Sequence, residues 1–132
     1  MAMRNPYGNS NNKYQQYKNQ SIMTAPPEEL TLMLYEGALK FLKQAKIFMD
    51  SKDIEKTHNA IMRAKKIITE LNVTLNMDYE ISKNLRSLYS FMNERLSQAN
   101  MKKDPSMIDE VIRLLEKLKD TWKQAMKIAK TK

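Results

Sequence analysis

Residues 104–129 read DPSMIDEVIRLLEKLKDTWKQAMKIA, and they decide the fold class. Asp104 followed by Pro105 is a strong helix-start signal. The short acidic side chain can accept from the first free backbone N–H groups, and proline's fixed φ suits the first helical position. After it Ile108, Val111, Leu115, Leu118, Trp122, Ala125 and Ala129 recur at intervals of three and four, the period of one helix face. Lys123, Lys127 and Lys130 lie toward the C-terminal end, where the helix dipole favours positive charge.

The same reading extends back along the chain. Asp78 caps a third helix carrying Ile81, Leu85, Leu88, Met92, Leu96 and Ala99, and Asn100 can end it. Asp53 caps a second, whose seam is Ile54, Ile61, Ala64, Ile68, Leu71 and Leu75. The first begins near Pro26-Pro27, with Glu28 and Glu29 in its opening turn. It carries two apolar stripes. One is Leu30, Leu34, Ala38, Phe41, Ala45 and Phe48; the other is Leu32, Tyr35, Leu39, Leu42 and Met49. Two stripes exceed what one core seam requires, so either this helix is central in the bundle or one stripe meets a partner. The chain has 2 glycines and 4 prolines, too few for a turn-rich sheet protein. The spacing predicts helices over 26–50, 53–76, 79–99 and 105–129, no strands, and an all-α, antiparallel up-down-up-down four-helix bundle.

The N-terminal residues MAMRNPYGNSNNKYQQYKNQ differ in kind. They are rich in Asn, Gln and Ser and cannot bury enough apolar surface to fold alone. The expected organisation is therefore a flexible N-terminal segment, 1–23, and a bundle domain, 24–132. No cysteine is present, which excludes disulfides and thiolate metal sites. No stretch reaches the roughly 20 apolar residues of a membrane span, and no secretory signal pattern opens the chain. A soluble, cytoplasmic protein without membrane insertion is expected.

The net charge is +8. Residues 1–24 hold three bases and no acid, and residues 105–132 hold seven bases against four acids. The helices between carry mixed signs, which reads as a solvated surface more than a nucleic-acid stripe. A basic bundle binding nucleic acid stands as the alternative function class. Glu55-Lys-Thr-His58 has the spacing of a di-iron motif, but such sites need a second histidine and His58 is the only one. No phosphate-cradling glycine loop exists, so neither a cofactor nor a metal nor catalysis is expected. Gly37 beside Ala38 lets another backbone approach, from a neighbouring helix or a bound peptide. Tyr35 and Tyr89 fit the edge of a core or of an interface. The 11 methionines suit either irregular core gaps or an adaptable binding surface.

Several segments together resemble the FliS family of flagellin-specific export chaperones. They are Tyr17-Lys-Asn-Gln-Ser-Ile22, Thr24-Ala-Pro-Pro-Glu-Glu-Leu30, Leu32-Met-Leu-Tyr-Glu-Gly-Ala38, Ala64-Lys-Lys-Ile-Ile-Thr-Glu-Leu71, Leu88-Tyr-Ser-Phe-Met92, Arg95-Leu-Ser-Gln-Ala-Asn100 and Asp120-Thr-Trp-Lys-Gln-Ala125. Their order and spacing carry the likeness from about Pro6 to Ala125. Where many relatives have Thr-Ala-Ser-Pro, this chain has Thr24-Ala25-Pro26-Pro27, so Thr24 takes over as the candidate cap. The resemblance implies a non-catalytic protein that binds the C-terminal segment of flagellin, keeps it from polymerising and helps deliver it to the flagellar type III export apparatus. It also implies an N-terminal segment that covers part of the cargo groove, which carries over to Tyr14, Tyr17 and Ile22. The partner-binding residues expected are those three with Leu32, Tyr35, Gly37, Leu39, Leu42 and Tyr89. A component of the export gate is a further partner, and a homodimer is the expected cargo-free form.

Overall fold

The computed structural model describes residues 26–130. They form α1 (Pro27–Asp50), α2 (Ile54–Val73), α3 (Glu80–Lys102) and α4 (Pro105–Lys130), with no strand among the described residues. At 1.5 Å per residue the helices are about 30–39 Å long. The predicted flexible segment 1–23, with its Thr24 cap, lies outside the described residues.

The helix ends show which local signals decide. Asp53 Oδ1 accepts the Lys56 N–H at 3.1 Å, and the Asp53 carbonyl accepts the Thr57 hydroxyl at 2.7 Å. Asp104 Oδ1 accepts both the N–H and the hydroxyl of Ser106, at 3.0 and 2.7 Å. These bonds hold the Asp104 carboxyl below its ordinary value, the hydroxyl bond first and the amide bond second. At α1 no side chain caps the start, and the Pro26 carbonyl accepts from Leu30 N–H at 2.9 Å.

The predicted Asp78 cap gives way to a different device. Tyr79 occupies the cap position and offers no side-chain bond. Asn76 Oδ1 accepts from Asp78 N–H at 3.0 Å, and the Asn76 carbonyl accepts the Ser82 hydroxyl at 2.6 Å. An asparagine can bond the backbone two residues on, so it organises the turn before the aspartate can act. Asn100 does not end α3, because its amide is engaged sideways with His58 and Lys103. Termination comes at Lys103, at φ 51°, with the Asp104 N–H returning to the Ala99 carbonyl.

The four helices form a ring. α1 packs against α2 and α4, and α3 packs against α2 and α4, with no close backbone approach on either diagonal among the described residues. Leu42, Ile61, Ile68, Leu71, Met92, Leu96, Ile108 and Leu115 are fully buried at the centre. Burying each such side chain contributes about 1.5–3 kcal/mol. Alanines at 38, 45, 60, 64 and 99 are buried with them and let the backbones approach.

The predicted seams overshoot at their ends. Ile54 is 68% exposed and Ile81 64% exposed, because each sits in an opening turn that projects past its neighbours. Ala125 and Ala129 are exposed as well. Trp122 Nε1 donates to the Glu28 carbonyl at 2.8 Å, which marks the level where α1 begins. The last turns of α4 run beyond it.

Leu115→Ala should lower unfolding free energy by about 2–5 kcal/mol, whereas Ile54→Ala should change it by less than about 0.5 kcal/mol. Denaturant titration of both variants checks the contrast, and equal losses would contradict this assignment of core.

Candidate partner-binding surface

The second α1 stripe turns inward. With a neighbour on each side, α1 has to bury a wide face, and Tyr35, Leu39 and Leu42 are all at most 3% exposed. Tyr89 is likewise buried, and its hydroxyl lies 2.5 Å from that of Tyr35, one donating to the other across the bundle. The structure places all four of these expected partner-binding residues in the core and not on an outer face. Leu32 is half-buried and lines a shallow cleft of about 530 Å³ with Asp120, Lys123 and Met126 of α4. Gly37 is half-buried, and a Cβ there would stand 3.3 Å from Ile67 Cδ1. The close approach it permits is that of α2. Tyr14, Tyr17 and Ile22 lie outside the described residues.

Burial pushes both tyrosine hydroxyls above the ordinary phenol value; the shared hydrogen bond acts downward on Tyr35 and upward on Tyr89. The pair therefore stays protonated in the fold. A hydrogen-bonded polar pair at the centre of an apolar ring fixes how α1 and α3 face each other.

Three of the outer edges of the ring differ in chemistry. Between α1 and α2, the Arg63 guanidinium lies 5.5 Å from the Phe41 ring and the Lys56 ammonium 5.7 Å from the Phe48 ring. Cationic stems thus cover that apolar edge. Between α2 and α3 runs a polar ladder. Its rungs are Arg86 with Asn72, Asn93 with Thr69, Lys65 with Ser97 and Asn100 with His58. His58 is a rung, its Nδ1 2.7 Å from Asn100 Nδ2. No group of three or more His, Cys, Asp or Glu is placed to hold a metal among the described residues.

The α3–α4 edge starts closed and then opens. Arg95 Nε lies 3.0 Å from Glu110 Oε1, and the Arg95 guanidinium covers the Phe91 ring at 5.2 Å. Two turns from Arg95 toward the α3 N-terminus stands Leu88, and two turns further Ile81. On α4 the matching positions are Leu114 and Leu118, then Thr121 and Ala125. Leu88, Leu114 and Leu118 are half-buried, while Ile81, Thr121 and Ala125 are exposed. This half of the edge has no covering ion pair among the described residues. The adjacent pairs Leu88-Tyr89 and Leu114-Leu115 were the signal that could have revealed it, since two consecutive apolar residues cannot both face one seam.

A ring of four amphipathic helices, with a partly exposed apolar stretch between α3 and α4, makes this a small all-α bundle. The family model described as flagellar protein FliS matches residues 10–129. The flagellar secretion chaperone FliS of Bacillus subtilis is 41% identical over 126 residues, covering 96% of this chain and 90% of that protein. The Vibrio cholerae flagellar secretion chaperone FliS is 36% identical over 116 residues, covering 83% and 85%. A solved structure described as a flagellar chaperone from bacteria superposes with a TM-score of 0.73 over 89% of this chain and 98% of that one, at 20% identity, and shows the likeness of fold. The chain belongs to the FliS family of flagellar secretion chaperones, which is not a class of enzymes. No helix among the described residues is long and apolar enough to cross a membrane.

Tyr35→Phe or Tyr89→Phe alone leaves a buried hydroxyl unpaired and should cost about 1–3 kcal/mol, while the double variant should lose less than the sum. Both groups have folded-state ionisation raised above the unfolded value of about 10. Their contribution is complete below that pH and is lost as pH rises past it, because the unfolded chain releases the protons first. Denaturant titrations from pH 8 to 11 should show a steeper loss in the parent than in the double Phe variant, and superimposable slopes would contradict it.

Proposed function

We propose that this chain is a cytoplasmic export chaperone that binds the C-terminal segment of flagellin, prevents premature polymerisation and assists delivery to the flagellar type III export apparatus. Membership in a family of flagellar secretion chaperones carries the reading. The open α3–α4 edge supports it, because an amphipathic segment can lay its apolar face against Leu88, Leu114 and Leu118 as a helix in a groove. A segment held there is unavailable for pairing with other flagellins. Binding orders the segment, so part of the contact energy is offset by lost conformational entropy. The effect is mass action on a free segment and needs no nucleotide.

Two further parts of the proposal concern the chain's own arrangement. Residues 13–23 act as a cover for the open edge, anchored by Tyr17 and Ile22, with Tyr14 beside them. Tyr and Ile contribute about 1.5–3 kcal/mol each when fully buried, against about 1–2 kcal/mol of backbone entropy per ordered residue. Such a cover is marginal and yields to a cargo that buries more area. The chain enters α1 beside Trp122, at the end of the bundle where the edge is open. Without cargo, two copies pair through the same edge, and with cargo the complex meets a component of the export gate.

Titration with a flagellin C-terminal peptide should produce a saturable change in Trp122 fluorescence that persists at raised salt. Binding that falls by orders of magnitude with salt would instead mark a polyanion site. Removal of residues 1–23 should preserve helical content, increase self-association and tighten peptide binding by freeing the edge. Unchanged affinity and unchanged solubility would show that the segment is not a cover.

A further inference from the structure

The other end of the bundle carries a feature that cargo binding at the α3–α4 edge does not use. Between α1 and α4 lies a cleft of about 710 Å³ lined in part by Lys43, Lys46, Lys52 and Lys103 around Ile47 and Ile112. Lys46 Nζ pairs with Asp109 at 2.5 Å, and Lys103 donates to Asn100. Lys43 and Lys52 are exposed and have no ion-pair partner among the described residues. Ile47 is 67% exposed between them, a large apolar side chain left in water in the middle of a cationic rim.

Backbone geometry makes the lysines notable. Lys52 at φ 60° and Lys103 at φ 51° are the two non-glycine residues with positive φ among the described residues. Both end a helix, at the α1–α2 and α3–α4 connections, and both line this cleft. A left-handed position at a helix end is where glycine is least strained. The left-handed turn itself serves helix termination, since the next N–H returns to the carbonyl five residues back, Asp53 to Phe48 and Asp104 to Ala99, but lysine in place of glycine at both turns sets two cations on one cleft at some conformational cost.

We propose that this cleft is a second protein-docking site, separate from the cargo edge, that takes an acidic amphipathic helix of a partner. Charge complementarity selects the occupant: four lysines against Asp50 and Asp109 leave the rim net positive. The apolar floor of Ile47 and Ile112 selects a helix with one apolar face over a nucleic acid. Lys43, Lys46, Ile47 and Asp50 stand at i, i+3, i+4 and i+7 of α1, so they present one face about two turns long, the footprint of a short helix lying along the groove. Two interfaces at opposite ends would let one copy hold cargo and a second protein at once.

The test uses the full chain and a fluorescent 14-residue peptide with Leu at one helical face and Glu beside it, read by anisotropy. Its Glu→Gln version and a single-stranded oligonucleotide serve as comparisons. The acidic peptide should bind saturably, with the Gln version and the oligonucleotide at least about tenfold weaker. Lys43→Glu with Lys52→Glu should weaken the acidic peptide by a similar factor while leaving flagellin-peptide affinity within about twofold. The glycine variants separate docking from folding: Lys52→Gly and Lys103→Gly should raise the melting temperature by relieving the left-handed strain and still weaken the acidic peptide. No saturable binding, affinity unaffected by charge reversal, or tighter binding of the oligonucleotide would overturn the site. Parallel loss of flagellin-peptide binding in the charge-reversed variant would overturn its separateness, whereas failure of flagellin binding in the unaltered chain would count against the cargo reading alone.

Discussion

The close approach of α1 and α2 is the constraint on which the rest of the bundle depends. Buried Ala38 and Ala45 face this interior from α1, and Ala60 and Ala64 from α2. Gly37 brings Ile67 to within 3.3 Å of where a Cβ would stand. Small residues at a helix contact shorten the interaxial distance, and dispersion rises steeply as surfaces meet. Once these two helices are seated, α1 has a second apolar face to bury, and α4 covers it. α3 then closes the ring between α2 and α4, and the tyrosine pair at the centre bonds it to α1 across the bundle.

Much of this was legible in the residue spacing, and the misses share a cause. The four helices and the starts at Asp53 and Asp104 follow from local rules of periodicity and capping, which need no knowledge of neighbours. Asp78 failed as a cap because a competing side chain, Asn76, reached the backbone first. Ile54, Ile81, Ala125 and Ala129 lie on the apolar side of their helices yet are exposed, since period tells which side of a helix is apolar but not where the neighbouring helix stops. Family resemblance supplied the chaperone class, which spacing alone could not have given.

The candidate surface was less legible for the same reason. Tyr35, Leu39 and Leu42 belong to a stripe that looks surplus on a wheel of α1 considered alone. In a ring every helix has two neighbours, so the surplus stripe is the one that disappears inside. The open surface comes instead from positions flanking the seams, such as Leu88 and Leu114, whose exposure depends on how far α3 and α4 part. The cationic cleft at the other end draws on both connections and on α1, elements far apart along the chain, and no linear reading brings them together.

The polar ladder between α2 and α3 has a consequence for alignment. Apolar seams repeat about every seven residues, so sliding one helix by two turns against its antiparallel neighbour would still bury an apolar face. The rungs do not tolerate that slide. Moved two turns in one sense, Arg86 would meet Lys65 in place of Asn72, and two like charges would face each other across the edge. Moved two turns in the other, Arg86 would pass the end of α2 and lose its acceptor. Each rung is worth little by itself, yet together they act as a vernier: hydrophobic burial brings the helices together, and the side chains at the wet edge tell one turn from the next.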